Sequence, residues 1–563
     1  MGKDSPRGDP HHGAGEERTA RIIHEIAEGS GVPHLIARIL VARGVRTPDE
    51  AHVFLRPRLA DLSDPFLLPD MDRGVTRLIE AVARGERICI WGDYDADGIS
   101  SLALMSNFLT RLEVVPVIHI PTREEGYGLH VDKVEDLAKE GVSLIVSLDC
   151  GSSNGAEIAH ARSLGMDTIV IDHHEMGSEV PPAVAVINPK RQDSRFPTRD
   201  LAACGVTFFF LLGLRRVMHG KGLIPAHINL KRELDLVTVG TVGDMVPLTG
   251  DNRILVRHGM EVMNTKPRAW LKSMLDSRVI SKGLVNEFAL GFIIIPRINA
   301  AGRVASPHPA LDFLVARETG SALNLLAHLQ KLNSLRQQRE KKIHEEIVTS
   351  LSREGFSGRR TIVVFDEKWH AGVLGIVAQK LTEQFERPAI VITRVNGVWK
   401  GSGRGGEGMD LFEAIRSTSS LLLKYGGHKY ACGISLKEEN LALFAEAFEK
   451  AVEGSITPRR RTVHVDTAAG FDELTAEVME RLEDLGPFGI GNPRPNLSFE
   501  VAGISVAPKG YTKVTDGDNR IWDGFYATKG ALQREGGARI IASPVIKMRM
   551  GERFIHLNIK EVE

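Results

Sequence analysis

A chain of 563 residues, 42% hydrophobic and 25% charged, has the composition of a soluble globular protein and is long enough for about three or four cores rather than one. Lys plus Arg number 71 and Asp plus Glu 72, so bulk charge gives no support for a polyanionic partner, and any such claim rests on where individual arginines stand. Cys89, Cys150, Cys204 and Cys432 are far apart with no CxxC pair, which argues against a disulfide framework and a zinc ribbon and fits a reducing cytoplasm.

The segment 1–17 is polar and rich in Gly, Pro and His, and reads as a disordered tail. It has no apolar stretch of the signal-peptide kind, and Pro6 spoils the myristoylation pattern begun by Met1-Gly2. Residues 18–76 read as helical with proline breaks. From 77 a regular alternation begins, with strands predicted at 87–91, 114–120, 143–148 and 167–171 and helical patterns between most of them. Such alternation predicts a mostly parallel sheet covered on both faces, with ligands bound beyond the carboxyl ends of its strands. The densest apolar run, Phe208 to Leu214, is far short of the ~20 residues that span a bilayer. A mostly helical segment continues to about 285, and the charge run in 310–353 predicts a long, solvated spacer helix. A second α/β unit is expected from Thr361 to about 452, then a linker at 454–461. The last hundred residues alternate short strands with turn signals such as Asp516-Gly517-Asp518, around one helix near 472–484, which predicts a small β-barrel.

The motif that decides the chemistry is Asp93-x-Asp95-x-Asp97-Gly98. It looks like the start of a calcium loop, but the twelfth position is Leu104 where a bidentate Glu is required. The preceding Arg87–Trp91 reads as a buried strand and the following residues as a helix, so these carboxylates sit at a strand end. Two further strands end the same way, in Asp149-Cys150-Gly151 and in Asp172-His173-His174. In a parallel sheet those tails converge on one edge. So many carboxylates together repel one another unless divalent cations neutralise them. Mixed Asp and His donors without Cys suit Mn²⁺ or Mg²⁺ better than structural zinc. Asp244, alone among apolar and small residues, is a fifth candidate, since an unpaired buried aspartate is costly.

These motifs, at these spacings, resemble the DHH phosphoesterase superfamily. Arg123-Glu-Glu-Gly-Tyr-Gly-Leu129, Arg297-Ile-Asn-Ala-Ala-Gly-Arg303, Trp369 to Ala378, Gly401-Ser-Gly-Arg404 and Gly426-Gly-His-Lys429 narrow the resemblance to the RecJ family of single-stranded-DNA-specific 5′→3′ exonucleases. The resemblance runs from about residue 20 to the C-terminus. It implies an N-terminal helical region (18–76), a DHH catalytic domain (77–308), a connecting helix (309–355), a DHHA1 domain (356–453) and an OB-fold (460–563). It also implies metal ligands Asp95, Asp97, Asp149, His173 and Asp244, with Asp149 bridging two ions. His174 is expected on the scissile phosphate, and Asp93 as a supporting carboxylate or weak ligand. Arg123, Arg303, Ser402 and Arg404 are the candidates for holding the 5′-terminal phosphate, together with Gly426, Gly427 and His428. Arginine suits this task because its planar fork pairs bidentately with phosphate oxygens. One departure stands out: several smaller relatives carry a metal-binding His where this chain has Trp91, which implies that one ion is held by fewer protein ligands.

The function so implied is metal-dependent release of 5′-mononucleotides from single-stranded DNA in bacterial repair and recombination, in the cytoplasm and associated with the nucleoid. The partners implied are a single strand with a 5′ end, a RecQ-type helicase and a single-strand-binding protein, with no membrane. Two alternatives stay open. One is a DHH phosphodiesterase acting on nanoRNA, pAp or cyclic dinucleotides, which residues 460–563 count against. The other is a non-catalytic replication scaffold, which the filled ligand positions count against. In the C-terminal barrel, Phe488, Tyr511, Trp522, Phe525 and Tyr526 with Lys509, Lys513, Arg520 and Lys529 are candidates for a base-stacking surface.

Overall fold

The structure, a computed structural model, describes residues 10–224, 228–280, 285–354, 358–406, 408–453, 463–527, 532–549 and 552–563. The chain forms two compact units, one built from 64–244 and 259–460, the other from 1–63, 245–258 and 461–563.

The larger unit holds two sheets. The first contains β1 (Ile88–Trp91), β2 (Val117–His119), β3 (Leu144–Leu148), β4 (Asp167–Ile171) and β5 (Ala185–Ile187), in the order β2-β1-β3-β4-β5 with every pairing parallel. All residues of β1 and β3 are buried, as Ile-, Val- and Leu-rich strands covered on both faces must be. The chain leaves β1 for β2 on one side and returns to β3 on the other, so the switch point lies between β1 and β3, where ligands bind in open sheets of this kind. The three-residue β5 escaped the sequence reading because its apolar run is too short to show a period.

The apolar run 208–214 lies inside the buried helix Ala203–Gly220. The helix Thr319–Glu354 has 36 residues and a length of about 54 Å. It is not the fully solvated spacer that its charge predicted. Ala322, Leu326, Leu329, Ile343, Ile347 and Leu351 form a buried stripe, and the buried Glu340 pairs with Arg336 at 2.9 Å and with Lys380 of a neighbouring helix. The charges seen in the sequence are the other face of an amphipathic helix. The second sheet contains β6 (Ile362–Phe365), β7 (Ala389–Val395), β8 (Val398–Arg404), β9 (Leu422–His428) and β10 (Ala431–Leu436), in the order β6-β7-β8-β10-β9. Only β6–β7 is parallel, and β9 is an edge strand.

In the smaller unit, β11 (Thr467–Ala468), β12 (Leu497–Val506), β13 (Tyr511–Thr515), β14 (Ile521–Tyr526), β15 (Leu532–Arg549) and β16 (Glu552–Val562) form one sheet. Pairing of β12 with β15 closes it into a five-strand barrel consistent with an OB-fold. The helices Pro10–Ser30, His34–Ala42 and Pro48–Leu55 share a core with this barrel: Leu35, Ile39 and Leu40 belong to the same buried cluster as Val478, Leu482, Phe499 and Ile540. Arg38 Nη2 donates to both oxygens of Glu473 at 2.7 and 2.8 Å, and Arg43 bonds Asp466 at 2.9 Å and Asn492 at 2.6 Å. The first helix begins at Pro10, so the expected tail is helical over 10–17, while residues 1–9 lie outside the described ones. The expected linker over 454–461 also lies outside them.

The barrel aromatics separate into two kinds. Phe488 is buried beneath the Arg494 guanidinium at 4.2 Å, Trp522 donates its indole N–H to Asp516 at 2.9 Å, and Tyr526 packs on the core. Tyr511 and Phe525 are exposed and face each other across β13 and β14. Lys529 lies outside the described residues.

Candidate metal and phosphate site

Every carboxylate of the site but Asp244 is placed by the end of a strand. Beyond β1, Asp95 caps the helix Ala96–Arg111, its Oδ1 accepting from the Asp97 N–H at 2.9 Å and the Gly98 N–H at 3.2 Å. Gly98 is obligatory, because a Cβ there would meet the Asp93 backbone at 2.5 Å. The Ala96 N–H donates to Asn299 at 2.8 Å. Asp97 receives the N–H groups of Ala203 and Cys204 at 2.6 and 2.9 Å, at the start of the helix Ala203–Gly220. Beyond β3, Asp149 holds a left-handed φ of 63°, with its N–H on Ile171 O and its C=O receiving the Tyr127 hydroxyl at 3.1 Å. Asp244 closes the helix Leu234–Gly243.

Beyond β4, Asp172 organises both histidines. It is fully buried, and its Oδ1 accepts from the His173 N–H at 2.7 Å, the His174 N–H at 3.2 Å and His174 Nδ1 at 2.8 Å, while Oδ2 accepts from the Ser152 N–H. Although burial works against it, the His174 partnership holds the Asp172 carboxyl well below its ordinary range. His174 is raised to about 9: burial opposes the charge, but the hydrogen bond to Asp172 and its charge outweigh it. With Nδ1 committed to Asp172, Nε2 is the nitrogen left for a ligand.

Three sets of donor atoms converge within 4.8 Å: Asp97 with His173 and Asp244, Asp93 with Asp95 and Asp149, and Asp149 with His173 and His174. His173 Nε2 lies 3.3 Å from Asp149, 3.6 Å from Asp244 and 3.9 Å from Asp97, yet it has no hydrogen-bond partner, and neither do Asp149 Oδ1 and Asp93 Oδ1. Neighbouring ligands on an octahedral shell stand about 3 Å apart, so this spacing fits donors arranged around a hard cation. The electrostatics agree. Burial, then Asp95, pushes Asp93 up to about 8 and Asp97 up to about 6; burial, then Asp97, pushes Asp244 up to about 8 and Asp149 well above its ordinary range. Burial lowers His173 to about 3, leaving it a neutral imidazole ready to ligate. Trp91 is fully buried among Leu129, Val134 and Ile145.

The expected phosphate residues also gather. Arg123 lies over the Tyr94 ring at 4.2 Å with its Nε unpartnered. Arg303 donates to the Gly372 carbonyl at 3.3 Å, and burial followed by the Arg123 charge lowers it to about 9. Arg404 bonds its neighbour's carbonyl and Ser402 Oγ, at 2.8 and 3.3 Å. Among the described residues no carboxylate pairs with any of the three. The Trp369 to Ala378 motif explains itself here: a Cβ on Gly372 would collide with the Arg303 backbone, and one on Gly375 would meet Arg404 and Ser402 at 2.9 and 3.0 Å. Gly426 and Gly427 lie on the β9 edge, Gly427 at φ 140°, and His428 feels the charges of Arg404 and of Lys190.

Sequence reasoning held Tyr127 and Asn299 inside its motifs but gave them no role, and it missed the β5 end. Asn188 Nδ2 donates to Ser152 Oγ at 2.9 Å and to the His174 carbonyl at 3.0 Å, and Lys190 follows two residues later. The available signal was the Asn188-Pro189 pair after a short apolar run.

Comparison with known proteins settles the family. The DHH family N-terminal domain matches residues 87–241 and the DHHA1 domain matches 358–454. The single-stranded-DNA-specific exonuclease RecJ of Escherichia coli is 35% identical over 84% of this chain and 85% of its own length. This chain belongs to the RecJ family. The RecJ of Bacillus subtilis is 34% identical over 85% of this chain, which spans 60% of that relative's length. The crystal structure of Thermus thermophilus RecJ in complex with Mn²⁺ superposes with a TM-score of 0.82 at 27% identity, covering 97% of this chain and 78% of that one.

Proposed function

We propose that this RecJ-family chain is a single-stranded-DNA-specific exonuclease that works from 5′ ends, hydrolysing one phosphodiester at a time with two divalent ions, Mn²⁺ or Mg²⁺. The observation that carries the reading is one buried carboxylate, Asp149, common to two groups of metal-competent donors, in the same compact unit as three arginines that no described carboxylate neutralises. Asp97, His173 and Asp244 would hold one ion, and Asp93 and Asp95 the other, with Asp149 shared. Such ions supply a water of lowered pKa and neutralise charge developing at phosphorus. Asp172 holds His174 protonated, so its free Nε2–H donates to a non-bridging oxygen of the scissile phosphate. Arg123, Arg303, Arg404, Ser402 and the Gly426-Gly427-His428 edge hold the terminal 5′-phosphate, which fixes polarity. The proposal extends to repair and recombination in a bacterial cytoplasm, nucleoid association, and recruitment by a RecQ-type helicase and a single-strand-binding protein. No described helix is long and apolar enough to cross a membrane.

Digestion of a 3′-labelled oligonucleotide with Mn²⁺ or Mg²⁺ tests this directly: products should shorten from the 5′ end on a single strand and be absent on a blunt duplex. Activity confined to dinucleotides or pAp would move the chain to the small-substrate phosphodiesterases. Two substitutions test the roles. Arg404→Ala removes a charged hydrogen-bonding group and should raise KM for 5′-phosphorylated strands by roughly 10–100-fold while changing kcat little. An unchanged KM would remove Arg404 from the phosphate site. Tyr127→Phe frees the Asp149 carbonyl and removes the hydroxyl 3.0 Å from His174 Nδ1. It should lower kcat by about tenfold, roughly 1.4 kcal/mol, with KM nearly unchanged.

A further inference from the structure

A cavity of about 450 Å³ is lined by Arg123 and Arg303 but not by Ser402 or Arg404, so it adjoins the proposed 5′-phosphate site without being that site. Its other ionisable lining groups are His370, Arg394, Lys400 and a single carboxylate, Glu124. Arg394 has a loose partner, Glu438 at 3.6 Å, and among the described residues no carboxylate pairs with Lys400. Arg394 and Lys400 are held on a rigid element. β7 turns into β8 through Asn396-Gly397, both at positive φ, the two-residue hairpin turn that matches strand twist. Lys400, Ser402 and Arg404 stand at every second position of β8, out of phase with the buried Trp399 and Gly403, so the three share one face. The row of anion-binding groups therefore continues past the site for one phosphate.

We propose that this cavity receives the outer phosphoryl groups of a 5′-di- or triphosphate end, so that the chain accepts polyphosphorylated strands as well as monophosphorylated ones. The inference rests on the exonuclease reading and deepens it. Water adds to the phosphorus joining the first and second nucleotides, the bond to the first nucleotide's 3′ oxygen breaks, and that oxygen leaves as a hydroxyl after taking a proton. The released terminal nucleotide keeps its whole 5′ chain, so the first product of a triphosphate end is a nucleoside triphosphate, and the shortened strand begins with a monophosphate.

The test compares otherwise identical oligonucleotides carrying 5′-monophosphate and 5′-triphosphate, with chromatography of the first product. Wild type should release a nucleoside triphosphate from the second substrate. Lys400→Ala should raise KM for the triphosphate strand about tenfold and leave the monophosphate strand unchanged, and Lys400→Arg should restore it. Tripolyphosphate should inhibit mononucleotide release more strongly than orthophosphate, and lose that advantage in Lys400→Ala. Refusal of the triphosphate strand by an enzyme that digests the monophosphate strand overturns the inference. So does equal digestion of both that ignores Lys400→Ala and Arg394→Ala. No digestion of the monophosphate strand overturns the exonuclease reading, and this inference with it.

Discussion

Asp149→Ala should reduce nucleotide release by about 10³-fold or more, a loss of roughly 4 kcal/mol in transition-state stabilisation. The size follows from its place: Asp149 belongs to two of the three donor groups and lies 3.3 Å from His173 of the remaining one, so in the proposed two-ion site its removal weakens both ions together, whereas losing Asp95 or Asp244 touches one. A companion variant separates chemistry from folding. Asp149 sits at φ 63°, where alanine costs about 1–2 kcal/mol but asparagine is tolerated. Asp149→Asn should therefore be as inactive as Asp149→Ala, yet melt at or above the wild-type temperature in EDTA at pH 8, because a carboxylate crowded by Asp97, Asp95, Asp93 and Asp244 has gone. Both properties are read from one preparation, by labelled-strand digestion and by thermal melting. A loss below tenfold in Asp149→Asn would remove this residue from the centre of the reaction.

Metal removal should make stability fall as pH rises through neutrality. Asp93 and Asp244 have folded values of about 8, above the ordinary carboxyl value near 4. Between those values the folded state binds more protons than the unfolded one, so the slope of unfolding free energy with pH is negative. Their stabilising protons are in place at low pH and are lost as pH approaches 8. His173, lowered to about 3, acts oppositely but only up to its ordinary value near 6.5. From pH 6.5 to 8 His173 has dropped out, while His174, held at about 9 against its ordinary value near 6.5, adds to the carboxylates with the same sign, so the slope is negative at roughly −1 to −4 kcal/mol per pH unit. Urea denaturation in EDTA across that window measures it. Mn²⁺ should flatten the slope and raise the midpoint, because bound cations replace the protons. A slope that is the same with and without Mn²⁺ would mean the cluster does not bind the ion.

The half of the fold that carries the candidate site was legible because its signals are local. β1, β3 and β4 are buried runs ending in Asp, and the rule that ligands sit at carboxyl ends of parallel strands brings Asp95, Asp149 and His173 together without coordinates. The motif resemblance added Arg123, Arg303 and Arg404, which spacing alone could not have joined across nearly three hundred residues. What stayed hidden depends on contacts between distant segments. Asp172 looks like any strand-end carboxylate until its oxygens are seen committed to His173, His174 and Ser152. Tyr127 acts through one hydroxyl on a backbone carbonyl, which no periodicity reports. β9, exposed at every residue after its first, carries no burial pattern, and only its Gly-Gly-His motif marked it. The long helix misled for the opposite reason: its charges dominate the composition while its buried stripe decides where it lies.

The core shared by the first helices and the last barrel strands has a consequence during synthesis. Leu35, Ile39 and Leu40 leave the ribosome more than four hundred residues before Phe499 and Ile540 exist. At ~5–20 residues per second, that apolar face waits for tens of seconds before its partner arrives. A nascent chain therefore carries that face uncovered throughout synthesis of the larger unit, and a ribosome stalled inside the barrel leaves a product whose opening helices still lack their partner.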